Sequence, residues 1–123
     1  MNSEKLYLVK EDLYRLGNSI SSRLPRVRPS EITTMDMNGV KTIITNNNDV
    51  SVFTKDGLNE SPLTGWAWEI KQGAVFPAGL KLVKRGSKGH HMIVPIRNMP
   101  LNQYVGLLEQ VAIHCKKVYK KQA

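Results

Sequence analysis

The hydrophobic rhythm of this chain changes several times before it settles into its longest regular stretch. Lys5 to Val9 alternates, and Asp12 to Leu16 (DLYRL) forms a second short apolar and polar run that stops at Gly17. One of the two supplies the first strand on this pattern, with a short helix over Glu11 to Leu16 as the alternative. Asn18 to Pro29 is rich in Ser, Arg and Pro and keeps no period, which predicts an exposed loop. Ile32 to Met37 and Val40 to Ile44 flank Asn38-Gly39, a pair suited to the positive φ angles of a two-residue turn, so a hairpin is expected before the polar run Asn46-Asn47-Asn48. Asp49 to Thr54 (DVSVFT) alternates and runs into Lys55-Asp56-Gly57, which reads as a turn. Ser51 then projects from one face of a strand.

Trp66 to Pro100 holds three further apolar runs, Ala67 to Ile70, Leu80 to Val83 and His91 to Ile96. Gly73, Pro77 and Gly79 separate the first two, and Gly86 and Gly89 the last two, so short strands joined by tight connections are expected. Beyond them Tyr104, Leu107, Leu108, Val111, Ala112, Cys115, Val118 and Tyr119 recur at spacings of three and four, with Glu109, Gln110, Lys116, Lys117 and Lys120 on the other face. This predicts a C-terminal helix with Pro100 near its start and its apolar stripe on the sheet. Each large side chain buried there stabilises the fold by ~1.5–3 kcal/mol. The pattern as a whole is that of an α+β chain.

Composition narrows the function classes. The 123 residues suit a single domain spanning 1–123, long enough for a proper core without a staple. Cys115 is the only cysteine and has no internal partner, which fits a reducing compartment. No Cys/His cluster has ligand spacing, so no metal site is expected. The N-terminus lacks the apolar core of a signal peptide, and no run approaches the ~20 apolar residues that span a membrane. A chain that works in solution follows from these features. The net charge of +8 comes from 18 Lys and Arg against 10 Asp and Glu, which admits nucleic acid or another acidic partner. The excess is divided among Arg23 to Arg28, Lys81 to Lys88 and Lys116 to Lys121, which reads as solvated charge, the last group in the final turns of the helix where the dipole favours cations.

None of this identifies a reaction, but one ordered set of residues does suggest a relationship. Ser51-Val52-Phe53, Gly73 with Pro77, Leu80-Lys81, His90 with Ile93 and Pro95, Met99, Tyr104 and Leu108 follow one another in an order and spacing that resembles the second exported effector family of the type VI secretion system. Leu13-Tyr14-Arg15 is similar to that family's early Leu-Tyr-Arg. The similarity covers Val50 to Leu108 and, upstream, only the tripeptide. It implies an α+β, ADP-ribosyltransferase-like core of mostly antiparallel strands enclosing a cleft for NAD, with a C-terminal helix packed on it. It also implies a toxin that acts in the cytoplasm on a macromolecular target and is paired with an immunity protein.

The resemblance further implies site residues. Arg15 stands where the family contacts the dinucleotide, beside Tyr14, and Ser51 stands in the nicotinamide-ribose pocket. Val50 occupies the position of the family's threonine, so one hydroxyl of the Thr-Ser pair is missing. His90 matches the histidine ahead of I-x-P; strand alternation puts its neighbour His91 on the opposite face. A guanidinium is a planar fork of donors suited to diphosphate, and a small hydroxyl holds an amide or ribose at low steric cost. Breaking the bond from nicotinamide to ribose builds positive charge that a carboxylate stabilises. Glu69 is the acidic residue in the strand-rich second half, although the matching family position is not acidic. Trp66 and Trp68 either stack a nicotinamide or adenine ring or fill the core, while Cys115 reads as core. Two other readings stand beside this one: a non-enzymatic, small basic RNA- or protein-binding module, and a phosphotransferase acting on RNA ends.

Overall fold

The computed structural model describes residues 6–27, 31–45, 49–86 and 89–122. Both early runs are extended, as β1 (Tyr7–Leu8) and β2 (Leu13–Gly17). The expected hairpin is β3 (Thr34–Met37) and β4 (Val40–Ile43), with Asn38 at φ 55° and Gly39 at φ 81°, so both central residues adopt the left-handed conformation that this turn requires. The Asn46 to Asn48 run and Arg28 lie outside the described residues. β5 (Val50–Phe53) carries Ser51.

The Lys55-Asp56-Gly57 segment is not a turn but the start of helix α1 (Lys55–Glu60). Its cause is Thr54, whose hydroxyl accepts from the Gly57 N–H, with Asp56 in the first turn beside the positive end of the dipole. Then come β6 (Gly65–Ile70), the two-residue β7 (Val75–Phe76), β8 (Leu80–Lys84), β9 (His90–Pro95) and the two-residue β10 (Met99–Pro100). β7 and β10 are too short for alternation to reveal. Helix α2 (Leu101–Ile113) begins after Pro100, as expected, but ends well before Tyr119. Lys116–Lys121 is instead β11, an edge strand paired with β6. The apolar spacing of Cys115, Val118 and Tyr119 continues the helical phase only by coincidence. A bulge between Lys117 and Tyr119 leaves Val118 without a partner across the ladder. The C-terminal lysines therefore line a strand edge, where they oppose edge-to-edge pairing, and do not cap a helix.

The main sheet is antiparallel throughout, in the order β11-β6-β2-β5-β9-β8. β10-β4-β3 and β1-β7 form two smaller sheets. On one face of the main sheet Leu13, Val50, Val52, Ile70 and Ile93 pack with Tyr104, Leu108 and Val111 of α2, the helical i, i+4, i+7 stripe. The other face carries a smaller cluster of Tyr14, Ala67 and Leu58, flanked by Leu16, Phe53 and Tyr119 under α1. Asn18 to Val27 is less exposed than its composition predicts, because Leu24 is fully buried in the main core and Ser22 is also buried. The loop folds back because Asn18 Oδ1 accepts from the N–H groups of Ile20 and Ser21, at 2.8 and 2.7 Å. No described helix is long and apolar enough to cross a membrane.

Tyr104 joins α2 to the sheet, since its fully buried ring places the hydroxyl 2.6 Å from the Ile93 carbonyl, to which it donates. Tyr104→Phe removes that donor and keeps the ring, so a loss of about 1–2 kcal/mol is expected. Urea unfolding checks it: the midpoint falls while the slope stays constant. Asp49 is the opposite case. Its carboxylate is fully buried at the mouth of β5 with neither oxygen hydrogen-bonded, and burial pushes its pKa up to about 7.

Candidate active site

The cleft arises where two central strands part. β2 pairs with β6 along all of Leu13–Gly17, whereas its pairing with β5 is limited to Tyr14 opposite Phe53. Beyond that pair the strands diverge, and a cavity of about 310 Å³ opens between Leu16 on one side and Ser51 on the other. Arg15 bridges the gap. Its buried guanidinium donates from one terminal nitrogen to the Ser51 carbonyl at 2.9 Å, and the same nitrogen lies 3.5 Å from Glu31 Oε2. The ladder bond that the diverging backbones cannot make is thus replaced by a side chain.

Opposite Arg15, Ser51 and His90 meet across β5 and β9. His90 Nε2 lies 2.8 Å from Ser51 Oγ, and the imidazole stacks on Phe53 with centroids 4.9 Å apart and 15° between planes. Burial lowers the His90 pKa, assisted by the positive charge of Arg85 and by His91, so the ring is neutral at pH 7. In one tautomer Nε2 accepts from the serine hydroxyl, and in the other it donates to it. The turn that delivers His90 depends on Gly89 at φ 71°, where a Cβ would lie 2.0 Å from Thr54 Oγ1. Gly89 also accepts the Thr54 N–H through its carbonyl, which ties this turn to the cap of α1. His91 faces the other way, is buried, and places Nδ1 3.2 Å from the Gly89 carbonyl.

The structure therefore gathers Arg15, Ser51 and His90 around one cavity, walled by Leu16, Phe53 and Leu63. The remaining residues of the sequence reading lie elsewhere. Tyr14 donates to Glu69 at 2.9 Å, and both stand in the row under α1, behind Phe53 and outside the cavity lining. Burial, reinforced by that carboxylate, pushes the Tyr14 pKa up to about 12. Lys55 lies over the Tyr119 and Tyr14 rings at 4.6 and 5.6 Å and fixes this cluster further. Trp66 is on β6 with Lys117 4.7 Å above its ring, and Trp68 donates through Nε1 to the Asn18 carbonyl. Cys115 packs against the core with its thiol pushed up to about 11 by burial, as an unreactive cysteine should be.

Sequence reasoning missed one residue of the lining. Glu31 comes from the segment before β3 and is the one acidic residue among the described residues that line the cavity, with a side chain 15% exposed and both carboxylate oxygens buried on the Arg15 side. No periodicity marks it, since it reaches the site only because the loop closes over Arg15. A more open groove of about 520 Å³ between β4 and the start of α2 is mostly apolar, with Lys41 its one ionisable side chain among the described lining. It offers no comparable chemistry. Among the described residues no group of His, Cys, Asp and Glu is arranged to hold a metal ion.

An antiparallel sheet split between two central strands, a helix packed across one face, and Arg, Ser and His around the split define an ADP-ribosyltransferase-like toxin domain. The family model described as Tse2 ADP-ribosyltransferase toxin matches residues 7–119, and the chain belongs to that family. No curated protein sequence matches it. The match extends the similarity well beyond Val50 to Leu108 and takes in β1, the hairpin and most of β11.

Proposed function

We propose that the cleft binds NAD at its nicotinamide-ribose half and that the protein releases nicotinamide, passing ADP-ribose to a macromolecular target or to water. The observation that carries this reading is the Ser51 to His90 contact of 2.8 Å, set in the wall of a cavity within the range of small-molecule sites, about 300–1,000 Å³. A hydroxyl and a neutral imidazole supply donors and acceptors for ribose hydroxyls and a carboxamide. Leu16, Phe53 and Leu63 give the apolar surface that a flat ring needs. Family membership supports toxicity as the purpose. NAD is a cytoplasmic metabolite, so the toxin acts in the cytoplasm of a target cell, after delivery by a type VI route, and its producer carries an immunity protein against it.

A nucleic-acid reading has less support. The sheet order puts Lys116–Lys121 and Lys81–Arg85 at opposite edges, so these basic groups do not form one path. Lys117 and Lys121 are also engaged internally, donating to the carbonyls of Ser19 and Ser61. Inducible expression in bacteria tests the functional reading. Wild type is expected to arrest growth and deplete cellular NAD. Ser51→Ala, which deletes the hydroxyl facing His90, should slow NAD loss by about 10²-fold, as when one site donor is removed. Harmless wild-type expression with unchanged NAD contradicts the reading.

A further inference from the structure

Resting on that functional reading, we infer that Leu63 is the rim residue against which the flat ring of the dinucleotide rests, and that Lys121, from the edge strand β11, is its positioning residue. Leu63 lines the cavity although it is 55% exposed. An apolar wall left that open has surface to bury when a ring settles on it. The other apolar walls, Leu16 and Phe53, stand on strands that ladder pairing holds in place. Leu63 has no ladder, because it lies in the short connection between α1 and β6.

That connection is fixed from two directions. Locally, the Ser61 N–H donates to the carbonyls of Gly57 and Leu58 at the end of α1, and the Ser61 hydroxyl accepts from the Leu63 N–H at 3.2 Å. From β11, the Lys121 ammonium donates to the Ser61 carbonyl at 2.8 Å and to the carbonyl of Leu63 itself. Lys121 reaches both because it pairs with Gly65, the first residue of β6, where the connection ends. An ammonium carries three donors and no acceptor, so holding two carbonyls two residues apart fixes the backbone between them and with it the direction of the Leu63 side chain. Charge patterning in the sequence reads all the C-terminal lysines as solvated. Lys116 and Lys120 keep that character and are exposed, whereas Lys121 is partly buried. Lys117 is exposed and grips the Ser19 carbonyl at 2.9 Å, away from the cavity lining. Neither Leu63 nor Lys121 supplies a group to the bond-breaking step, so both act on NAD binding and leave turnover alone.

Lys121→Met keeps the aliphatic stem and deletes the donor, and Leu63→Ala removes the wall. Lys117→Met is the matched control, since it deletes a lysine-to-carbonyl contact on the same strand. These three and the double variant of Leu63→Ala with Lys121→Met are purified as the full chain. They are compared with wild type for nicotinamide release, for NAD affinity by calorimetry and for melting temperature. Leu63→Ala and Lys121→Met are each expected to raise KM and weaken NAD binding about five- to tenfold, with kcat within about twofold of wild type. Lys117→Met should bind NAD like wild type. The double variant should bind no more weakly than Leu63→Ala alone, because Lys121 acts only through that side chain. The inference alone is overturned if wild type binds NAD and either single variant keeps its affinity, if Lys117→Met weakens binding as much, or if the two losses add. Wild type that does not bind NAD overturns the functional reading itself, and this inference with it.

Discussion

Arg15→Ala is expected to cost both the fold and the reaction. Removing the guanidinium leaves the Glu31 carboxylate near the cavity without this cation and deprives the Ser51 carbonyl of its donor, exactly where β2 and β5 have no ladder to fall back on. Breaking a buried charged pair by deleting one partner destabilises by on the order of 3 kcal/mol. A displacement of ~1 Å in the groups around the ribose costs about 10² in rate. The two effects separate experimentally. At a temperature where the variant remains folded by circular dichroism, nicotinamide release should still be down about 10²-fold. Arg15→Lys restores a charge but not two fixed directions, so it should recover part of the stability and little of the rate. Unaltered turnover in a folded Arg15→Ala chain would remove Arg15 from the site.

The other large effect concerns pH. Most buried carboxylates in proteins are paired, so acid weakens the fold; Asp49 reverses the sign. Its pKa is about 7 in the folded chain, raised by burial, against an ordinary value of 3.8 when unfolded. Between these values the folded state binds more protons than the unfolded one, so stability declines as pH rises from about 4 to about 7 and is fully lost from this source above that. The penalty at pH 8 is on the order of 4 kcal/mol. Urea midpoints at pH 5 and pH 8 check it, the higher at pH 5. Asp49→Asn cannot ionise, so its two midpoints should lie much closer together. A wild-type midpoint that rises from pH 5 to pH 8 contradicts the role given to Asp49.

Local chemistry made much of the fold legible before any coordinates. Asn38-Gly39 specified its turn, the alternation of Val50, Val52 and Thr54 against Ser51 and Phe53 specified a strand with Ser51 on one face, and Pro100 marked the start of α2. What misled was periodicity without context. Cys115 to Tyr119 keeps a helical spacing, yet the free edge of β6 offers hydrogen bonds to a strand, and pairing there prevailed over the local pattern. Lys55-Asp56-Gly57 has turn residues, yet Thr54 caps it into a helix. The site divides in the same way. Arg15, Ser51 and His90 lie on strands that the residue pattern outlined, and the family resemblance singled them out there. Glu31 lies outside any regular element, and its proximity to Arg15 is set by loop closure across 16 positions of sequence, which no local signal encodes.

The central claim is that the opening between β2 and β5 consumes NAD. The most direct measurement is the release of labelled nicotinamide from NAD by the purified chain, with the adenylate half followed in parallel for free ADP-ribose or ADP-ribose attached to protein. The account predicts steady nicotinamide release by wild type, strongly reduced in Ser51→Ala, with the adenylate label appearing in ADP-ribose or on a target. No release by folded wild-type protein, with a bacterial extract added as a source of target, would contradict it.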